Sequence, residues 1–143
     1  MAIRNASARW DGTLTEGTGV LRTGKGGYEG NYSFKSRFQE GEGTNPEELI
    51  GAAHSGCFSM AFSKVLADAG HPPTSIDTTA KVHLEPVDGK QTVTRIELAT
   101  TGVVPGIDEA EFVKLAEVTK ETCPISRLLA PGTEISLTDV TLA

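Results

Sequence analysis

The pattern of apolar and polar positions is most decisive between Thr44 and Gly70. From Leu49 to Phe62 no formally charged residue appears. Apolar and small side chains there occupy most of the helical circumference, which predicts a buried helix rather than a surface amphipathic one. Its start is marked three ways: Asn45 as a capping residue, Pro46 at the first helical position, and Glu48 as a capping-box partner. Glu47 and Glu48 also place negative charge at the positive end of the helix dipole. Gly70 and Pro72 end it. Gly51, Ala52, Ala53, Ser55 and Gly56 carry so little bulk that another backbone can come close.

Before this helix the pattern is that of strands. Ala6–Trp10 ends at Asp11-Gly12, and Gly17–Thr23 is followed by a glycine-rich turn. Tyr32–Phe38 alternates, with Tyr32, Phe34 and Phe38 on one face and Ser33, Lys35 and Arg37 on the other. The first third is therefore expected to be a small antiparallel sheet. After the helix, Ser75–Leu84 aligns Ile76, Ala80, Val82 and Leu84, and Asp88-Gly89 turns the chain into a partner strand over Gln91–Val104. Asp108 and Glu111 mark a second helix start, with Phe112, Leu115, Ala116 and Val118 at helical spacing. Thr122-Cys123-Pro124 interrupts it, Ile125–Leu129 adds a short helical piece, and Glu134–Leu142 reads as a last strand. No linker, repeat or low-complexity tract divides the chain, so residues 1–143 are expected to form a single α+β domain.

Composition narrows the function. A net charge of −6, with the basic residues scattered among acids, argues against nucleic acid and against an anionic membrane surface as partners. The first residues lack the apolar core of a secretory signal, and no run is long enough to span a membrane, which points to the cytoplasm. In that reducing compartment two cysteines, Cys57 and Cys123, are either redox-active or simply buried thiols. Two cysteines and three scattered histidines do not have zinc-ligand spacing, and no motif calls for a cofactor.

Cys57 lies mid-helix among apolar residues, where burial raises a thiol's pKa; to act as a nucleophile it needs a nearby cation. Cys123 precedes Pro124 at a helix start, where amides and dipole favour a thiolate. On local sequence alone Cys123 is the more activated of the two. His54 shares a helix face with Cys57, three residues away, so a Cys–His hydrolase dyad competes with a plain core histidine. Arg37 is either a solvated edge charge or the missing cation. Glu47 serves the helix start, and it stands roughly 15 Å along the axis from Cys57, at ten residues and 1.5 Å each. Within one straight helix the two cannot touch; an antiparallel second helix would bring one chain's Glu47 towards the other chain's Cys57.

The segments TNPEELIGAAHSGCFSMAF, TSIDTTAKV, VPGIDEAEF and CPISRLL resemble the OsmC/Ohr family of thiol peroxidases. The HSGCFSMAF form around the first cysteine is closer to the OsmC branch than to the organic hydroperoxide resistance (Ohr) branch. The likeness runs from ARWDG to the last strand. It implies an OsmC-like fold: an intertwined homodimer with long central helices flanked by antiparallel β-sheets. It implies reduction of organic hydroperoxides in preference to hydrogen peroxide, as part of oxidative or osmotic stress defence. It assigns Cys57 as the peroxidatic thiol and Cys123 as the resolving one, reversing the local reading of which attacks first. Arg37 would stabilise the Cys57 thiolate and Glu47 would orient Arg37. Arg9 and Arg22 are rivals for that role, and the family pattern around SRF favours Arg37. The reductant implied is a dithiol, which in the Ohr branch is a lipoylated protein. Two readings compete: the Cys57–His54 hydrolase, and a non-enzymatic stress protein holding a small apolar ligand.

Overall fold

The computed structural model describes all residues, 1–143. The chain divides into two compact units, Met1–Leu49 and Ile50–Ala143.

The first unit carries a three-stranded antiparallel sheet of β1 (Ala6–Asp11), β2 (Thr18–Thr23) and β3 (Glu29–Ser33), in that order. Trp10 packs on Tyr32 with ring centroids 5.1 Å apart. The alternating stretch to Phe38 does not remain a strand. It leaves β3 at Ser33 and coils into a short helix, α1 (Phe34–Phe38). Ser33 and Ser36 form a reciprocal capping box, each side chain accepting from the other's backbone amide. The Ser36 hydroxyl also donates to the Thr44 carbonyl, and the Asn45 amide donates to the Ser36 carbonyl. These bonds fold the segment back on the next loop, which a straight strand could not do. Phe34 and Phe38 pack together at 5.0 Å in the helix, an i, i+4 pair that an alternating pattern also permits.

The long helix α2 (Pro46–Asp68) starts where expected. Asn45 Oδ1 accepts from the Glu48 amide at 2.8 Å, whereas the Glu48 carboxylate takes a bond from Thr44 Oγ1 instead of completing a capping box. At the other end Gly70 has a positive φ of 90°, and the His71 amide reaches back to the Leu66 carbonyl.

The second unit holds most of α2 and a sheet in the order β4 (Ser75–Val87), β5 (Lys90–Val103), β6 (Glu134–Leu142). β4 and β5 are an antiparallel hairpin turned by Asp88 and Gly89, both at positive φ. β6 runs parallel to β5, which requires a crossover, and α3 (Glu109–Thr122) with α4 (Pro124–Leu129) supplies it. One stripe of α2 enters the core: Phe58, Phe62 and Leu66 are fully buried with Ile96, Leu98, Phe112 and Ala116. Gly51 lies close over β4, where a Cβ would stand 3.4 Å from Val82. Ser59 donates to Thr78 on β4. The buried stripe of α3 is Phe112, Ala116 and Thr119, while Val118 faces outward.

In one respect α2 departs from expectation. Within a single chain it is buried on one side only; Ala52, Ala53, Gly56 and Met60 are exposed, Met60 at 79%. The uncharged circumference is real, but one chain supplies core for only half of it.

Candidate functional site

Cys57 is brought to mid-helix by α2, and Cys123 stands at the break between α3 and α4. Cys123 closes α3 through its amide, which donates to the Thr119 carbonyl, and opens α4 through its carbonyl, which accepts from Arg127. Pro124 cannot continue α3 but suits the first position of α4. The break turns the Cys123 side chain, fully buried, onto α2. There its thiol donates to Cys57 Sγ at 3.2 Å, across 66 residues of sequence. Both cysteines are free, and Cys57 is half-buried. A disulfide bond is about 2.05 Å long, so the sulfurs need approach by only about 1 Å to join.

The electrostatics around Cys57 oppose one another. Burial pushes its thiol above the ordinary value of 9.0, the Ile125 backbone amide in the first turn of α4 pulls it down, and the neighbouring Cys123 raises it again. The α4 amides that local sequence assigned to Cys123 thus act on Cys57.

His54 sits one turn before Cys57 and is completely buried. Its Nε2 meets Ser126 Oγ at 2.8 Å, and Nδ1 has no hydrogen-bond partner. Burial holds the imidazole below its ordinary pKa. Neither nitrogen bonds Cys57, so the hydrolase dyad is not assembled. Ser126 was not singled out from sequence, although it belongs to CPIS; its signal was position, three residues after Cys123 on the buried side of a helical turn.

In the first unit Arg37 and Glu47 form an ion pair. Arg37 Nη2 donates to Glu47 Oε1 at 2.7 Å, and Nε contacts both carboxylate oxygens at 3.2 and 3.3 Å. Glu47 is 9% exposed and Arg37 is partly open to solvent. The Arg37 guanidinium also lies 5.2 Å from the centre of the Phe38 ring. It borders a cavity of about 430 Å³ lined by Trp10, Leu14, Tyr32, Phe34 and Phe38. The rival arginines are otherwise engaged on the exposed sheet: Arg9 with Asp11 and Arg22 with Glu29. The structure assembles a pair of sulfurs in the second unit and a guanidinium–carboxylate pair in the first. No three His, Cys, Asp or Glu side chains converge as metal ligands, and no helix is long and apolar enough to cross a membrane.

Residues 39–138 match the family described as OsmC-like protein. The chain is 46% identical over 127 residues to the peroxiredoxin OsmC of Escherichia coli K12, covering 88% of this chain and 89% of that protein. It is 31% identical over 99 residues to an organic hydroperoxide resistance protein of Xanthomonas axonopodis pv. citri, covering 68% of each. Among solved structures, an organic hydroperoxide resistance protein OsmC from Legionella pneumophila superposes with a TM-score of 0.74 at 22% identity, covering 100% of this chain and 99% of that one. The organic hydroperoxide resistance protein OhrB of Bacillus subtilis gives 0.74 at 20% identity, covering 94% and 97%. Both share the fold.

Proposed function

The chain belongs to the OsmC/Ohr family, and from that premise we propose that it is a thiol peroxidase that reduces organic hydroperoxides in stress defence. The observation that carries the reading is the pair of free thiols 3.2 Å apart. Cys57, the more accessible sulfur, attacks the outer oxygen of the hydroperoxide as the thiolate. The O–O bond breaks, the alkoxide leaves and takes a proton to become the alcohol, and Cys57 becomes a sulfenic acid. Cys123 then attacks that sulfur, water leaves, and the Cys57–Cys123 disulfide forms. An external dithiol returns both thiols and is itself oxidised. A lipoylated protein has the right chemistry for that dithiol.

Arg37 supplies the cation that offsets the desolvation of the Cys57 thiolate and stabilises charge on the departing oxygen. Glu47 holds the guanidinium in place through three contacts. The working form is a homodimer in which the exposed small-residue face of α2 packs against its copy. Residues 1–143 act as one domain in that assembly, and a pair that needs recurrent reduction suits the cytoplasm. A preference for organic hydroperoxides over hydrogen peroxide accords with the relative described as an organic hydroperoxide resistance protein.

The test is peroxide consumption with a dithiol, comparing cumene and tert-butyl hydroperoxides with hydrogen peroxide. Cys57→Ser should abolish turnover. Cys123→Ser should consume one equivalent and stall as the sulfenic acid or a mixed disulfide. Full activity in Cys57→Ser, or a free-thiol count unchanged by one equivalent of organic peroxide, rejects the mechanism; the second outcome would favour a ligand-binding protein.

A further inference from the structure

We propose that His54 and Ser126 are positioning residues: their buried hydrogen bond holds α4 against α2 in the register that keeps Cys57 and Cys123 within bonding reach. The inference rests on the reading of the two thiols as a reversible disulfide pair. It is carried by where the bond lies. His54 is three residues before Cys57 on α2, and Ser126 is three residues after Cys123 on α4. The Nε2 to Oγ contact of 2.8 Å therefore joins the same two elements as the sulfur contact, about one turn away on each. Both ends are buried, His54 at 0% and Ser126 at 2%.

Two further observations make this more than core packing. The His54 ring leaves Nδ1 buried without a partner, a cost that an apolar side chain of similar size would not carry. The tautomer with the proton on Nε2 keeps that cost smallest: the N–H donates to Ser126, and only a lone pair is left bare at Nδ1. The second observation is the weakness of α4 as an independent element. It is six residues long, and no side chain caps its start. Cys123 itself is non-helical, with ψ of 125°, so the segment can pivot at the residue that must meet Cys57. A side-chain bond to the third residue of α4 removes that freedom.

The readout is the effective concentration of the two thiols for each other, measured by equilibrating the full-length protein with glutathione and its disulfide. In that exchange the two protein thiols lose two electrons and two protons, the protein disulfide forms, and glutathione disulfide is reduced to two thiols. No peroxide is involved. Ser126→Ala, which removes one hydroxyl, should lower the effective concentration about tenfold, equivalent to about 30 mV towards less reducing potentials. His54→Leu should do the same. Ser126→Thr and His54→Gln, which keep an acceptor and a donor, should stay within about threefold of the parent. A merely structural role would lower the melting temperature of Ser126→Ala and leave the effective concentration at the parent value, and that result overturns the inference. If the parent protein itself forms no Cys57–Cys123 disulfide with glutathione, the reading of the thiol pair fails instead.

Discussion

Completely buried, with no charged partner, His54 makes the acid side the vulnerable one. Burial is the cause that holds its pKa below the ordinary 6.5. In the unfolded chain the imidazole regains water and titrates near that value. Between the two pKa values the unfolded chain binds a proton that the folded chain refuses. Stability therefore rises with pH across that window and is lost as pH falls from 6.5 towards the folded value. Above the window this group contributes no pH dependence. One proton sets the limiting slope at about 1.4 kcal/mol per pH unit. Against a total stability of about 5–15 kcal/mol, one pH unit is a measurable fraction. The assay is urea unfolding of the parent and His54→Gln over about pH 7.5 to 5. Groups that titrate in both proteins cancel in the difference. The stability difference between the two should be constant above 6.5, then shift in favour of the variant by about 1 kcal/mol per unit below it. A constant offset reports only packing. A difference that stays flat to the acid end, or moves towards the parent, refutes the argument that desolvation controls this ring.

Two further variants test the proposed site and assembly. Glu47→Gln keeps one acceptor for Arg37 but removes the charge; because Arg37 is partly solvated, the loss should sit near the low end for a charged hydrogen bond, about 1.5 kcal/mol in urea unfolding. The same variant should slow alkylation of Cys57 at neutral pH, and an unchanged rate would separate the Arg37–Glu47 pair from the thiol. Met60→Glu places a carboxylate on the exposed face of α2 and should convert the proposed homodimer to a monomer in sedimentation velocity; a dimer of unchanged affinity would move the interface elsewhere.

Much of this molecule was readable one segment at a time. The cap at Asn45, the proline at position 46, the stop at Gly70 and the turn at Asp88-Gly89 are decided by bonds between residues a few positions apart, and each appears where the sequence predicts it. The helix break at Cys123-Pro124 was equally local. Family motifs then identified the family, because the spacing of residues around each cysteine is itself a local property. Phe34–Phe38 forms a helix where the pattern predicts strand for a physical reason: two phenylalanines four positions apart fit both periods, and the deciding bonds from Ser36 and Asn45 reach eight or nine positions away.

What tertiary structure alone decided is everything that depends on two distant segments meeting. Sequence left Cys123 as the more activated thiol because Pro124 starts a helix beside it, yet packing turns the Ile125 amide onto Cys57. The parallel pairing of β6 with β5, the exposed half of an uncharged helix and the His54–Ser126 bond were likewise invisible. Side-chain period tells which faces are apolar, but not which other element covers them. That choice is made by the packing of α2 and α3 on one sheet and of α4 against α2, and it is this packing that sets two sulfurs from opposite halves of the chain side by side.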